Sequence, residues 1–200
     1  MAKHINFAKY LVEQSGFPHE IVDKALHRME EYGTLTPGAL AGILEADFLV
    51  PHDRVYASLA DYYSFDELEV SPETLSEKVI KANRDILAKF PEELKKKLLY
   101  HRILPFTPSN GVNRDGLKVL ASDPTNPLIQ EISQKTPYKR IDVYWCRLGV
   151  IEELIERIAP HKNEFLQMLT DNGEVFIDDD SHPELSEQAL DEEINRSLLV

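Results

Sequence analysis

The chain has 200 residues, 42% of them apolar, so it is long enough and apolar enough to bury a hydrophobic core. Its formal net charge of −13 argues against nonspecific binding of nucleic acid, which needs Lys and Arg to neutralise phosphates. Its single cysteine, Cys146, allows no internal disulfide, and the start of the chain lacks the apolar run of a signal peptide, so we expect a cytoplasmic protein. No stretch reaches the roughly 18 apolar residues of a membrane span, so any membrane association is expected to go through a partner protein.

Residues 1–100 are predicted to be helical throughout, because their apolar residues recur at helical spacing. Thr36-Pro37 and Ser71-Pro72 each place a capping hydroxyl before a proline that suits a first helical turn, so both pairs predict helix starts. Two further helices are expected near 72–89 and 91–100. The first apolar stripes consist of Phe7, Leu11, Ile21, Val22, Ala25, Leu26, Met29, Leu40, Leu44, Val55, Leu59 and Tyr62.

These stripes contain an internal repeat. One unit that begins at Asn6 and another that begins at Ala39 superpose at a constant offset of 33 residues. Each unit is predicted to be a helix, a short turn and a second helix. Neither unit can bury its apolar face alone, so the two are expected to pack against each other. The matching pairs are Phe7 and Leu40, Leu11 and Leu44, Val22 and Val55, and Leu26 and Leu59.

A β-hairpin is predicted after the helices. Its strands are 103–106 and 117–121, and the loop between them contains the turn pairs Asn110-Gly111 and Asp115-Gly116. Gly111 and Gly116 have the glycine spacing of a nucleotide-binding P-loop, but Leu117 follows where a lysine is required. The loop also joins two strands, whereas a P-loop leads into a helix, so a turn is favoured over a phosphate site.

The chain then alternates between helix and strand. Asn126-Pro127 supplies a cap and a first-turn proline, so a helix whose apolar stripe faces the sheet is expected to follow. Apolar and polar residues alternate over 141–145, which predicts a strand. A final amphipathic helix is predicted at about 149–169.

No metal site or catalytic constellation is predicted. The histidines show no paired spacing with cysteine or with one another that would define a zinc site. Asp178-Asp179-Asp180 with His182 lacks the alternating ligands and central glycine of a calcium loop, so a solvated acidic linker is favoured. Cys146 follows the strand residues Tyr144-Trp145 and is expected to be a buried thiol, not a nucleophile.

The end of the chain carries most of the negative charge. Residues 171–200 contain ten Asp and Glu against one Arg, a net charge of −9, which leaves −4 for residues 1–170. The last three residues, Leu198-Leu199-Val200, are apolar. Because a natural chain end is rarely apolar, we expect this chain to be the front part of a longer protein.

The order of elements from Arg102 to Ile158 resembles the second half of the N-terminal domain of type II secretion ATPases and type IV pilus assembly ATPases. The residues that carry the resemblance are Arg102 to Phe106, Leu117 to Pro127 with the Asp-Pro turn, and Ile141 to Trp145 before a long helix. The resemblance implies a regulatory or docking domain that couples a cytosolic motor to an inner-membrane platform protein. It implies a location peripheral to the inner membrane, no enzyme activity in this chain, and a following ATPase core that binds ATP and Mg and assembles as a homo-hexamer.

The same family carries tandem helical units of this size, and in some members the paired units bind cyclic di-GMP. Those units open with Arg-Leu-Gly and close with Gln. In this chain the corresponding residues are Asn6 and Ala39 for Arg, Ala8 and Ala41 for Gly, and Met29 and Tyr62 for Gln. An arginine can grip a phosphate or a guanine edge and a glycine allows close backbone approach, so their loss favours a packing role over ligand binding. The ligand positions implied by the resemblance are Asn6, Phe7, Ala8, Leu11, Met29, Ala39, Leu40, Ala41, Leu44 and Tyr62.

Together these patterns predict an α+β fold. A helical bundle of tandem helix pairs is expected over 1–100, a small α/β sandwich over 101–170 and an acidic linker over 171–200. The helical half is the expected partner face, because a groove between helices can accept a helix of another protein. The alternatives are a stand-alone cyclic di-GMP receptor and a self-contained hydrolase, for which no acid, base or nucleophile cluster is visible.

Overall fold

The computed structural model describes residues 3–107 and 116–160. These residues belong to one compact unit, Met1–His161. They contain eight α-helices and a three-stranded mixed sheet, which confirms the predicted α+β class. The helices are α1 Lys3–Glu13, α2 His19–Tyr32, α3 Pro37–Ala46, α4 His52–Tyr63, α5 Glu77–Leu87, α6 Glu92–Tyr100, α7 Leu128–Lys135 and α8 Leu148–Ile158, and the strands are β1 Ile103–Phe106, β2 Leu117–Ala121 and β3 Ile141–Trp145.

The predicted repeat is visible in the backbone. Helices α1 and α2 form the first pair and α3 and α4 the second, and α2 packs on α3 while α4 packs on α1. The turns of the two pairs share one conformation, because Gly16 and Leu49, 33 residues apart, both have a left-handed φ, of 66° and 53°. In each turn the next amide donates to a carbonyl six residues earlier, Phe17 to Leu11 at 2.9 Å and Val50 to Leu44 at 3.1 Å.

The prediction of helix throughout residues 1–100 is wrong between α4 and α5. Ser71-Pro72 begins only a short 3-10 turn, Pro72–Thr74, because Leu75 returns to extended backbone with φ −66° and ψ 123°. Before that turn, residues 65–70 run beside the end of β3. The Trp145 amide donates to the Asp66 carbonyl at 2.9 Å, and the Leu68 amide donates to the Trp145 carbonyl at 3.1 Å. This pairing with a distant strand overrides the local helical pattern.

The sheet follows its predicted strand boundaries. β1 and β2 pair antiparallel, with Ile103 opposite Ala121, which confirms the hairpin. β2 and β3 pair parallel, with Leu117 opposite Ile141, and the sheet order is β1-β2-β3. The turn pair Asn110-Gly111 of the connecting loop lies outside the described residues.

The last two helices match their predicted starts. The Asn126 side chain accepts a hydrogen bond from the Leu128 amide at 3.0 Å and so caps the first turn of α7. Helix α8 ends at Ile158 instead of continuing toward residue 169. Ala159 leaves helical geometry, with φ −130° and ψ 62°, because the α conformation is disfavoured for a residue before proline, here Pro160. The remainder of the predicted helix, from residue 161, lies outside the described residues.

Three hydrophobic clusters form the core of the described residues. The first unites α1–α4 and also receives the Trp145 side chain from β3. The second lies between one face of the sheet and helices α6 and α7, and the third lies between the other face and α8, with α5 contributing to both. The clusters therefore divide the chain between α4 and α5, whereas the predicted subdomain boundary at residue 100 stays a prediction.

Candidate functional site

The positions implied for cyclic di-GMP divide into core and surface. Asn6 is exposed on α1, while Ala39 and Tyr62 are half-buried. The Ala39 amide is already engaged, because it donates to the capping hydroxyl of Thr36 at 3.1 Å. The remaining positions are buried in the helical core, and they are Phe7, Ala8, Leu11, Met29, Leu40, Ala41 and Leu44. Their assignment as ligand residues stays a prediction, but the structure gives these seven side chains a packing role.

An aromatic face forms where the closing position of the second unit meets the opening helix of the first. The Tyr62 ring lies 5.2 Å from the Phe7 ring and 5.5 Å from the Tyr10 ring, between centroids. Its hydroxyl donates to the Lys3 carbonyl at 3.4 Å, and Tyr63 packs edge-on against it at 5.1 Å. Phe7 is 0% exposed, so the part of this face that is open to a ligand consists of the tyrosines, which can stack on planar groups as aromatic side chains do with bases.

Both arginines of residues 3–70 are already engaged. Arg28 contacts the carboxylates of Glu31 at 3.1 Å and Asp47 at 3.5 Å. Arg54 donates to the Gly16 carbonyl at 3.2 Å, and its guanidinium lies 4.6 Å from the centre of the Phe17 ring. A phosphate ligand on the helical pairs would therefore have to compete with these contacts for a bidentate partner.

A polar cluster lies near the end of α3 and the start of α4. His52 Nδ1 is 2.9 Å from a Glu45 carboxylate oxygen, and the His52 ring stacks on Tyr56 at 4.2 Å between centroids. Burial raises the pKa of Tyr56, and the negative charges of Asp123 and Glu45 raise it further. The phenol therefore stays neutral well above physiological pH.

Contacts between residues far apart in the sequence join the helical pairs to the sheet, and no local sequence motif predicts them. The Asp53 carboxylate on α4 accepts a hydrogen bond from the Leu148 amide at 2.8 Å and so caps the start of α8 from 95 residues away. Arg147 pairs with Glu67 at 3.1 Å, between the extended segment and the same helix start. Residues 147–149 have the Arg-Leu-Gly sequence that opens the family's helical units, and they begin helix α8. Their arginine, however, is ion-paired with Glu67 in this junction, by which we mean the contacts of Asp53 and Glu67 with the start of α8.

A surface groove of about 470 Å³ lies beside this junction, and residues 67–71 form one wall of it. Cys146, Arg147 and Val150 form the other wall. Cys146 is 1% exposed, as predicted for a buried thiol, and its burial raises the thiol pKa to about 12. The groove thus offers carboxylates and an ion-paired arginine, but no activated nucleophile.

Residues 3–107 and 116–160 contain neither a cluster of metal ligands nor a helix that could span a membrane. No group of three or more His, Cys, Asp or Glu in them is placed to hold a metal ion. None of their helices combines the length and the apolar character needed to cross a membrane. The acidic triplet at 178–180 and His182 lie outside these ranges.

Comparison with known proteins places the fold. No family model matches the chain, and no curated protein matches it. A solved structure of MshE with cdg is similar, with a TM-score of 0.52 at 16% sequence identity, and the match covers 78% of this chain and 98% of that chain. At this identity the likeness shows a shared fold.

Proposed function

We propose that this chain is the N-terminal regulatory and docking domain of a type IV pilus assembly or type II secretion ATPase. The observation that carries the proposal is the fold shared with MshE over 98% of that chain. The tandem helix pairs, and the order of strands and helices along residues 102–158, match what the resemblance to this class of domain implies. The tandem units repeat at the backbone level as well, down to the left-handed residue in each turn.

In this proposal the chain recruits and does not catalyse. It couples a cytosolic motor to the inner-membrane platform protein of the machine, and so it lies at the cytoplasmic side of the inner membrane through that partner. ATP and Mg bind in the ATPase core of the parent protein, which assembles as a homo-hexamer.

The mass of the native gene product tests this proposal. An antibody raised against the 200-residue chain should detect a product of about 60 kDa or more in cell lysate, a typical multi-domain length. The same antibody should co-precipitate the platform protein from detergent-solubilised membranes. A product near 22.9 kDa, the mass of this chain, would contradict the motor assignment.

The second candidate function is a cyclic di-GMP receptor, favoured by the fold shared with MshE, which was solved with that ligand. The aromatic face around Tyr62 supplies a stacking surface for a guanine, but the two arginines of the helical pairs are engaged elsewhere. We expect isothermal titration of the chain with cyclic di-GMP to give no heat. A saturable signal that disappears in Tyr62→Ala and persists in the control Tyr100→Ala, an exposed tyrosine outside the helical pairs, would instead establish the receptor.

A further inference from the structure

Leu49 combines two features that are unfavourable for an ordinary leucine. Its φ of 53° lies in the left-handed region, where a Cβ crowds the backbone. Its side chain is 85% exposed, the highest value among the exposed large hydrophobic residues, and it takes no part in the hydrophobic clusters of the described residues. Folding therefore gains nothing from this side chain that would offset the backbone strain.

The repeat shows what the fold itself requires at this position. Gly16 is the equivalent residue of the first unit and has the same left-handed backbone, with no atom within 4 Å of the place where a Cβ would stand. Glycine satisfies the turn without strain. The leucine of the second unit is therefore an addition to the turn, not a condition for it.

The other two non-glycine residues with positive φ in the described ranges have local reasons for it. Ser64 caps α4, with its amide directed at the carbonyls of Ala60 and Asp61. Arg102 pairs through its side chain with Glu152 at 3.0 Å. At Leu49 the left-handed backbone lets the Val50 amide donate to the Leu44 carbonyl at 3.1 Å, as in the turn at Gly16, so the turn explains the backbone conformation but not the choice of leucine.

A second exposed apolar residue, Tyr32, is connected to this turn through Arg28. Arg28 contacts Asp47, two residues before Leu49, at 3.5 Å, and its guanidinium lies 6.0 Å from the centre of the Tyr32 ring. Tyr32 is 59% exposed. Tyr32, Glu31 and Asp47 thus contact one arginine, and Leu49 follows Asp47 by two residues, so we call these four residues the Leu49 surface.

The charge of this part of the chain limits what can cover the Leu49 surface. Residues 3–70 contain twelve Asp and Glu against five Lys and Arg, a net charge of −7. Glu31 and Asp47 share the single guanidinium of Arg28. Such a surface repels an anionic membrane or an acidic partner and attracts a basic one.

We propose that the Leu49 surface is a docking site for a Lys- and Arg-rich amphipathic segment of a partner protein. The apolar side of that segment covers Leu49 and Tyr32, and its cations meet Glu31 and Asp47. The proposal names a surface and a partner chemistry for the docking role given above, and it rests on that role.

The turn offers a matched pair of variants. Leu49→Gly recreates the turn of the first unit, so it should raise the thermal midpoint of the chain while weakening docking. Gly16→Leu introduces the same strain in the other turn, so it should lower the midpoint and leave docking unchanged. Tyr32→Ser removes the second apolar contact without touching a turn, so it weakens docking even if a turn variant fails to fold.

The first assay titrates the purified chain with a synthetic amphipathic helix of Leu and Lys, and with the same helix carrying Glu in place of Lys. The wild-type chain and Gly16→Leu should bind the Lys peptide alone, and Leu49→Gly should bind it about tenfold more weakly. Equal affinities of the wild-type chain and Leu49→Gly, or no binding by the wild-type chain, would overturn the proposal.

The second assay measures capture of the platform protein's cytosolic domain by the same variants. Capture by the wild-type chain and Gly16→Leu that is lost in Leu49→Gly supports both the docking role and the surface. Equal capture by all three leaves the docking role intact and refutes the surface. No capture, together with a Lys peptide that distinguishes Leu49→Gly, refutes the docking role and keeps the surface.

Discussion

Replacing Asn83 by Ala removes a buried amide that ties helix α5 to the end of β1. Asn83 is 0% exposed. Its Nδ2 donates to the carbonyls of Val79 at 2.8 Å and Thr107 at 2.9 Å, and its Oδ1 accepts from the Thr107 amide at 2.7 Å. Each such bond contributes about 1 kcal/mol net, so Asn83→Ala should lower the free energy of unfolding by about 3 kcal/mol.

Urea unfolding followed by circular dichroism measures this change. In a chain of this size, about 3 kcal/mol corresponds to a fall in thermal midpoint of roughly 6–12 °C. Asn6→Ala makes the same substitution at an exposed helical position and should change stability by less than about 0.5 kcal/mol. If Asn83→Ala stayed within about 1 kcal/mol of the wild-type chain, the amide would not be what holds β1 to α5.

Three further perturbations test the contact of Asp53 with the start of α8, the turns at Gly16 and Leu49, and the Cys146 thiol. Asp53→Ala should destabilise by about 1 kcal/mol in urea because the Leu148 amide loses its cap, whereas Asp53→Asn should keep most of that stability. Leu49→Gly should stabilise by about 1–2 kcal/mol and Gly16→Leu should destabilise similarly, measured as chemical midpoints, and equal midpoints would contradict the strain argument. Folding raises the pKa of Cys146 from 9.0 to about 12, so the unfolded chain ionises first as pH rises. Wild-type stability should therefore fall between those pH values relative to Cys146→Ala, and parallel pH profiles would disprove the shift.

The parts of the fold that the sequence predicted correctly are those with local causes. The three strands begin and end where predicted, because the turn pairs of the loop bound the apolar runs of β1 and β2 and alternating apolar residues mark β3. The Thr36 cap and the offset of 33 residues between the helix pairs could also be predicted from the sequence, since each depends on residues close together in the chain. The end of α8 was also predictable, because Pro160 disfavours helical backbone at Ala159 and so indicates that the helix ends near Ile158.

The missed features depend on distant contacts. Residues 65–70 leave the helical pattern because Trp145, far along the chain, supplies hydrogen bonds to Asp66 and Leu68. In the sequence Asp53 looks like an ordinary acidic residue of a first helical turn, where its negative charge interacts favourably with the helix dipole. Its hydrogen bond to the Leu148 amide can be recognised only when the structure places α8 beside α4. The same holds for Asn83, which looks like a surface residue of an amphipathic helix until Thr107 is placed next to it.

The candidate site shows why the apolar frame of the two helical units, meaning their shared buried positions, can be recognised although the polar residues that would bind a ligand are missing. The apolar positions of the two units, such as Phe7 and Leu40, are buried where the helix pairs meet, so packing alone requires them. The polar ends are not under that requirement, because Asn6 is exposed and the Ala39 amide is satisfied by a cap. An arginine can therefore be absent from those ends with no loss of core packing, whereas Ala8, Ala41 and Met29, at the glycine and glutamine positions, are themselves part of the buried core. Similarity of the frame thus predicts the fold, while binding of a nucleotide depends on side chains that the frame does not dictate.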